Sequence, residues 1–336
     1  MWKLLLLITG ASAFINPYPK SGPRISKIDA APLLLTPYIE SGDIEQARNL
    51  ALVTGLTPNI TSYTGFFTID RECDSNIFFW FFPSQQDWEK DPVSVWLNGG
   101  PGSSSLYGLF YENGPYTLTL DGTLILNPYS WNLNSSVIYI DNPVGTGFSY
   151  TTKRCYVSTE EEVGQGILNM LTQFFKLFPE ISQNPFFLTG ESYAGKYIPA
   201  IAHAIHTSEN RSEINLQGVA IGDGWTDPVN QLVYADYLYQ LGLIDSTLQG
   251  TLKEIENVIP VFVQLGDYAV ANDLNDEMLY AFANAAGYDS FYNYLYELGE
   301  PEPDIAGWLT TDEVSINKNH LQLAKSTIMK MILIFR

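Results

Sequence analysis

Basic side chains are scarce in this chain: 17 lysines and arginines stand against 37 acidic residues, a formal net charge of −20 over 336 residues. A surface of that sign repels a phosphate backbone, so no nucleic-acid partner is expected. Most of the carboxylates read as solvated surface, and the excess suits an acidic vesicle, where protonation relieves self-repulsion. Only two cysteines occur, Cys73 and Cys155; they are too few for a disulfide scaffold and form either one bridge or none. Three histidines, His203, His206 and His320, occur without clustered cysteines, so no metal site and no cofactor are expected. The apolar run near the N-terminus is too short to span a membrane. Internal repeats and low-complexity linkers are absent.

What is present begins at residues 1–13, where a lysine, the apolar Leu4 to Ile8 and the small-residue Ala11-Ser12-Ala13 have the layout of a secretory signal peptide cleaved before Phe14. A buried N-terminal strand is the alternative. Sequons at Asn59, Asn134 and Asn210, each beside polar residues, are expected glycosylation sites on surface loops and agree with the secretory pathway. The destination, extracellular or a lysosome-like acidic vesicle, stays open.

The chemistry centres on Phe186-Phe187-Leu188-Thr189-Gly190-Glu191-Ser192-Tyr193-Ala194-Gly195. A buried strand running into Gly-x-Ser-x-Gly and then a helix, from about Lys196 to His206, is the form of a nucleophile elbow, with Ser192 the nucleophile. The tight turn lifts one side chain above the sheet, flanking glycines let the neighbouring backbone approach, and the helix N-terminus faces developing negative charge. At Asn98-Gly99-Gly100-Pro101-Gly102 another strand ends in glycines, and an N–H there is expected to join that of Tyr193 as a pair of oxyanion donors.

In chain order, residues 14–60 read as an extended N-terminal arm rich in Pro, Ser and isolated charges. Residues 61–230 read as an α/β core. Strands are expected at Gly65 to Asp70, Asn76 to Phe82 (uniformly apolar, hence buried on both faces), Pro92 to Leu97, two short ones within Tyr116 to Asn127, Ser136 to Ile140, the elbow strand, and Leu216 to Ile221. Thr159 to Phe178 is a helix whose first turn carries three glutamates behind an N-cap threonine. Residues 231–305 turn helical and tyrosine-rich, the pattern of a cap inserted over the site, and residues 306–336 return to the core. The whole reads as an α/β fold: a mixed, mainly parallel sheet covered by helices on both faces, with an inserted helical cap.

Four stretches in order, Trp96 to Ser105, Tyr139 to Tyr150, Gly190 to Tyr197 and Ala220 to Gly224, resemble the serine carboxypeptidase family, and within it the vitellogenic-like branch most. The resemblance runs from about Thr64 to Tyr296. It implies an α/β-hydrolase fold and removal of C-terminal residues from peptides or proteins, usually in an acidic compartment. Carried over by motif, Ser192 is the nucleophile, and the N–H groups of Gly100 and Tyr193 form the oxyanion hole. Asn98, Gly99 and Glu191 hold the substrate's terminal carboxylate, with Trp96 nearby and Glu112 paired to Glu191. Two carboxyls in contact share a proton, and the protonated one donates to the substrate carboxylate. The bland reading of Glu112 is a solvated helix residue.

Departures from the family's pattern bear on activity. The Asn-Gly-x-x-Asp and Gly-His motifs that carry the triad Asp and His are not found in this chain. His203 and His206 read as helix-face residues about three turns beyond Ser192, and His320 lacks the expected glycine and strand. The final apolar run, Met329 to Phe335, reads as the strand before the missing aspartate or as the tail of a C-terminally truncated chain. Ser103 stands where many members carry cysteine. With the last strands missing, an apolar sheet edge is expected to be exposed, and a homodimer paired through it is compatible with the sequence. The alternative to an enzyme is a non-catalytic binder of peptide C-termini.

Overall fold

A computed structural model describes residues 32–53, 60–209, 213–288, 292–295 and 301–309. The signal-peptide reading at 1–13, Asn59, Asn210, His320 and the apolar run at 329–335 lie outside the described residues.

Residues 32–53, expected as extended arm, instead carry two short helices. In α1 (Thr36–Ser41) Pro37 occupies the first turn and Gly42, at φ +82°, closes the last. In α2 (Ile44–Ala51) Ala47 and Ala51 are fully buried, and Arg48 donates to Leu177 O at 2.6 Å and pairs with Glu180. The reading as an extended arm missed a helical stripe, the small Ala47 and Ala51 with Ile44 beside them, inside a polar stretch. A two-residue strand, β1 (Leu52–Val53), follows.

The core is built from β2 (Ser62–Asp70), β3 (Ser75–Phe82) and β4 (Val93–Leu97), then a single wide turn at Gly108–Glu112 and the hairpin β5 (Tyr116–Leu118) and β6 (Leu124–Leu126). Next come β7 (Ser136–Ile140), β8 (Tyr150–Thr151), α3 (Glu160–Leu177), β9 (Phe186–Glu191), α4 (Ala194–Thr207) and β10 (Leu216–Gly222). The main sheet runs β1-β2-β3-β7-β4-β9-β10, with β8 also on β3. Pairing is antiparallel from β1 to β7 and parallel among β7, β4, β9 and β10. Every residue of β3, β4 and β7 is buried, as uniformly apolar strands covered on both faces must be.

On one face α3 and α4 pack through Ile167, Leu171, Phe174 and Ile201 against Phe79, Phe81 and Val95. The opposite face buries Trp80, Phe82, Trp96 and Tyr139 beneath Phe110 of the wide turn and Leu118 of the hairpin. Helix α3 starts in a complete capping box, Thr159 accepting from Glu162 N–H while Glu162 accepts from Thr159 N–H. Cys73 and Cys155 form a disulfide spanning 82 residues of sequence. The remaining helices, α5 (Pro228–Gln231), α6 (Ala235–Gln240), α7 (Ser246–Leu265), α8 (Tyr268–Ala286) and α9 (Ile305–Leu309), follow β10. Of these, α6, α7 and α8 share a small apolar cluster around Leu252, Ile259, Met278 and Phe282. Trp225 joins that cluster to the sheet, packing on Tyr193 at 5.7 Å between ring centres.

Candidate active site

Strand β9 ends at Glu191, and Ser192 follows with φ +56°, a strained backbone for a residue with a side chain. Its backbone is held on both sides: Ser192 N–H donates to Gly222 O at 3.1 Å and Ser192 O accepts from Trp225 N–H at 2.8 Å. The flanking glycines are sterically required. A Cβ on Gly190 would lie 2.3 Å from Leu97 O, and one on Gly195 would lie 2.7 Å from Thr226 Oγ1. Helix α4 begins two residues after Ser192 and closes the turn, Gly195 N–H donating to Ser192 O and Lys196 N–H to Tyr193 O, each at 2.9 Å.

Parallel pairing of β4 with β9, Leu97 opposite Gly190, brings the glycine loop to this turn. A Cβ on Gly99 would lie 2.2 Å from Tyr193 N and 3.0 Å from Glu191 O. Gly100 has φ +108°, and the turn is closed by Ser103 N–H donating to Gly99 O at 3.1 Å. Gly99 therefore packs directly against the Tyr193 amide, and Gly100 is the next residue of the loop.

Asn98 is the hub of the polar side. Its Oδ1 accepts from Trp96 Nε1 and from Gly108 N–H, each at 3.0 Å, which fixes the amide's orientation. Its Nδ2 then donates to Glu112 Oε1 at 3.0 Å and to Glu191 Oε1 at 2.9 Å. Gly108 must be glycine, since a Cβ there would lie 2.1 Å from Trp96 Nε1. Glu112 is thus a paired, half-buried carboxyl, not a solvated helix residue. Burial first, then the charge of Glu191 beside it, raises its pKa to about 7. Glu191 is also raised, by burial and by the charge of Asp223. The two hydrogen-bond to each other, and we place the proton on Glu112 because it is the more deeply enclosed. One negative charge is then shared beside a serine on a helix N-terminus.

The histidines His203 and His206 lie exposed on α4, 11 and 14 residues beyond Ser192, on the order of 16 to 20 Å along the helix axis, and do not reach the hydroxyl. Asn134 is exposed at the end of a short turn, as a surface sequon requires. Among the described residues no group of three or more His, Cys, Asp or Glu is placed to hold a metal ion, and no helix is long and apolar enough to cross a membrane. Sequence reading did not assign Asp223, Tyr197 or Asp141 to the site. Asp223, at φ +37°, adds its charge to the Glu112–Glu191 pair, and the hydroxyl of Tyr197 accepts from Gly102 N–H at 3.2 Å. The quoted Gly-Asp-Gly and Tyr-Ala-Gly-Lys-Tyr motifs contained both residues, but only strand adjacency reveals what they touch.

Residues 53–322 match the family described as serine carboxypeptidase. The chain is 44% identical over 330 residues to a venom serine carboxypeptidase of Apis mellifera, covering 93% of this chain and 70% of that protein. It is 44% identical over 296 residues to a vitellogenic carboxypeptidase of Aedes aegypti, covering 83% of this chain and 62% of that protein. In structure it is similar to a prohormone-processing carboxypeptidase from Saccharomyces cerevisiae, with a TM-score of 0.63 and 26% identity over 85% of this chain and 67% of that one. With the elbow, the glycine loop and the carboxyl pair on one rim of an α/β-hydrolase sheet, the chain belongs to the serine carboxypeptidase family.

Proposed function

We propose that this site takes the free C-terminus of a peptide and cleaves the last peptide bond by acyl transfer through Ser192. On binding, Asn98 Nδ2 turns one of its two hydrogens from the carboxyl pair to the terminal carboxylate, which the Gly99 N–H and the proton on Glu112 also hold; Glu191 shares that proton, and Trp96 keeps Asn98 aimed. The scissile carbonyl then lies over Ser192, with its oxygen toward the N–H groups of Gly100 and Tyr193. Attack of Ser192 Oγ on the carbonyl carbon forms a tetrahedral oxyanion as a general base, which no described histidine supplies, takes the hydroxyl proton. Collapse breaks the C–N bond, passes that proton to the departing amino group and leaves an ester on Ser192. Water, deprotonated by the same base, hydrolyses the ester and returns the proton to Oγ. No cofactor takes part. The observation that carries the reading is Asn98, locked by Trp96 and Gly108 and facing two carboxyls that share a proton. An ordinary esterase pocket has no use for such a clamp.

Above about pH 7 the Glu112 proton leaves, and a substrate carboxylate meets two negative charges. The activity therefore belongs to an acidic compartment, and the Cys73–Cys155 disulfide and the Asn134 sequon support passage through the oxidising secretory pathway.

A second reading, a non-catalytic binder of peptide C-termini, is favoured by one observation: neither described histidine reaches Ser192. Incubation with a free-acid peptide, followed by mass spectrometry, separates the two. Stepwise loss of C-terminal residues, abolished by Ser192→Ala and accompanied by fluorophosphonate labelling of Ser192, supports the peptidase. Tight binding without loss or labelling supports the binder, and the absence of both binding and cleavage defeats both.

A further inference from the structure

Asp141, immediately after β7, is 1% exposed and touches no cation among the described residues. Its Oδ1 accepts from Ser104 Oγ at 2.6 Å and from Ser105 N–H at 3.1 Å, and its Oδ2 accepts from Phe148 N–H at 2.7 Å. Gly147, at φ +51°, wraps the following turn so tightly on the carboxylate that a Cβ there would lie 2.1 Å from Oδ2. Ser105 adds a second tie. Its hydroxyl donates to Ile140 O at 2.5 Å and accepts from Asn98 N–H at 3.2 Å. The span from Asn98 to Ser105 is thus closed on itself through the Ser105 hydroxyl and fastened at its Ser104–Ser105 end to the end of β7. Inside it lie Gly99, Gly100 and the Gly102 N–H held by Tyr197.

We propose that Asp141 is the positioning residue of this loop, its buried carboxylate holding the Gly100 N–H in register with the Tyr193 N–H. The inference rests on the reading of those two groups as oxyanion donors. Three donors converge on one carboxylate, and no neutral side chain of that shape accepts them all: an asparagine turns an N–H toward either the Ser104 and Ser105 donors or the Phe148 N–H, leaving them unsatisfied. Burial raises the Asp141 pKa to about 6 while the same three donors oppose the rise. Among the described residues, the groups that meet its carboxylate, from Ser104, Ser105, Gly147 and Phe148, do not titrate.

Asp141→Asn, compared with wild type by hydrogen–deuterium exchange and by steady-state cleavage of a free-acid peptide, tests the proposal. Exchange in residues 98–106 is expected to rise about tenfold while β3 stays unchanged. The value of kcat is expected to fall by about tenfold to a hundredfold, the loss typical of a misplaced oxyanion donor, with KM changed less than about threefold because the carboxylate clamp keeps its partners. Ser104→Ala, which removes one donor and keeps the carboxylate, gives the same pattern at smaller amplitude and decides the matter if the first variant does not fold. Unchanged exchange at 98–106 in the folded variants, exchange rising equally through β3, or a loosened loop with unchanged kcat overturns the proposal. The exchange measurement needs no turnover, so a wild-type chain that cleaves nothing counts against the proposed function and leaves this inference to be decided by the loop.

Discussion

Strands β4 and β10 lie on either side of β9 in the same sheet and have opposite surroundings. All five residues of β4 are buried, whereas β10 alternates between half-buried and exposed positions, with Val219 50% exposed. The loop after β4 carries Asn98, Gly99 and Gly100, and its geometry is imposed by packing on both faces. The segment after β10 touches the elbow through Gly222 O and Trp225 N–H, a position held by hydrogen bonds more than by burial. The residues proposed to hold substrate therefore follow the more buried of the two strands. The exposed side acts through single bonds and the charge of Asp223.

That contrast orders the expected effects of substitution. Ser192→Ala, at the junction of the two sides, is expected to reduce peptide cleavage and fluorophosphonate labelling to background with little loss of stability, as assays on folded protein will read. Phe79→Ala, in the fully buried interior beside Phe67 and Phe174, is expected to destabilise by about 3 to 5 kcal/mol in urea unfolding. Glu112→Gln keeps a neutral donor at all pH values, so the loss of peptide affinity that wild type undergoes as pH rises through about 7 is expected to vanish. The sign for stability follows from the same shift. A carboxyl raised from 4.5 to about 7 binds its proton more tightly when folded, so its contribution is greatest below about pH 4.5 and is lost as pH rises toward 7. Val219→Ala, on the exposed strand, is expected to stay within about 0.5 kcal/mol of wild type. A large loss there would show that β10 is covered in solution.

Legibility in the sequence divides along the same line. The buried strands announce themselves as apolar runs, the elbow as Gly-x-Ser-x-Gly, and α3 through Thr159 and its glutamates, because each depends on neighbours in the chain. Helix α2 was hidden because its buried stripe is made of alanines among charges, a weak apolar signal, and α1 because it is six residues long with a proline in its first turn. The disulfide could not be assigned from two cysteines alone, since pairing depends on β8 returning to β3. The Glu112–Glu191 pair was reached through the family resemblance, not from residue spacing: Asn98, which joins them, lies 14 residues from one and 93 from the other. The role proposed for Asp141 was invisible for the same reason, two of its three donors being supplied by a loop 36 and 37 residues earlier.

The central claim, that this rim recognises a free peptide C-terminus, is tested most directly by calorimetric titration of Ser192→Ala with one peptide in two forms, free acid and C-terminal amide, at pH 5.5 and pH 8. The account predicts that the free acid binds at least about tenfold more tightly at pH 5.5, the worth of a hydrogen-bonded charge, with the advantage shrinking at pH 8. Equal affinity of the acid and the amide at pH 5.5 would contradict it.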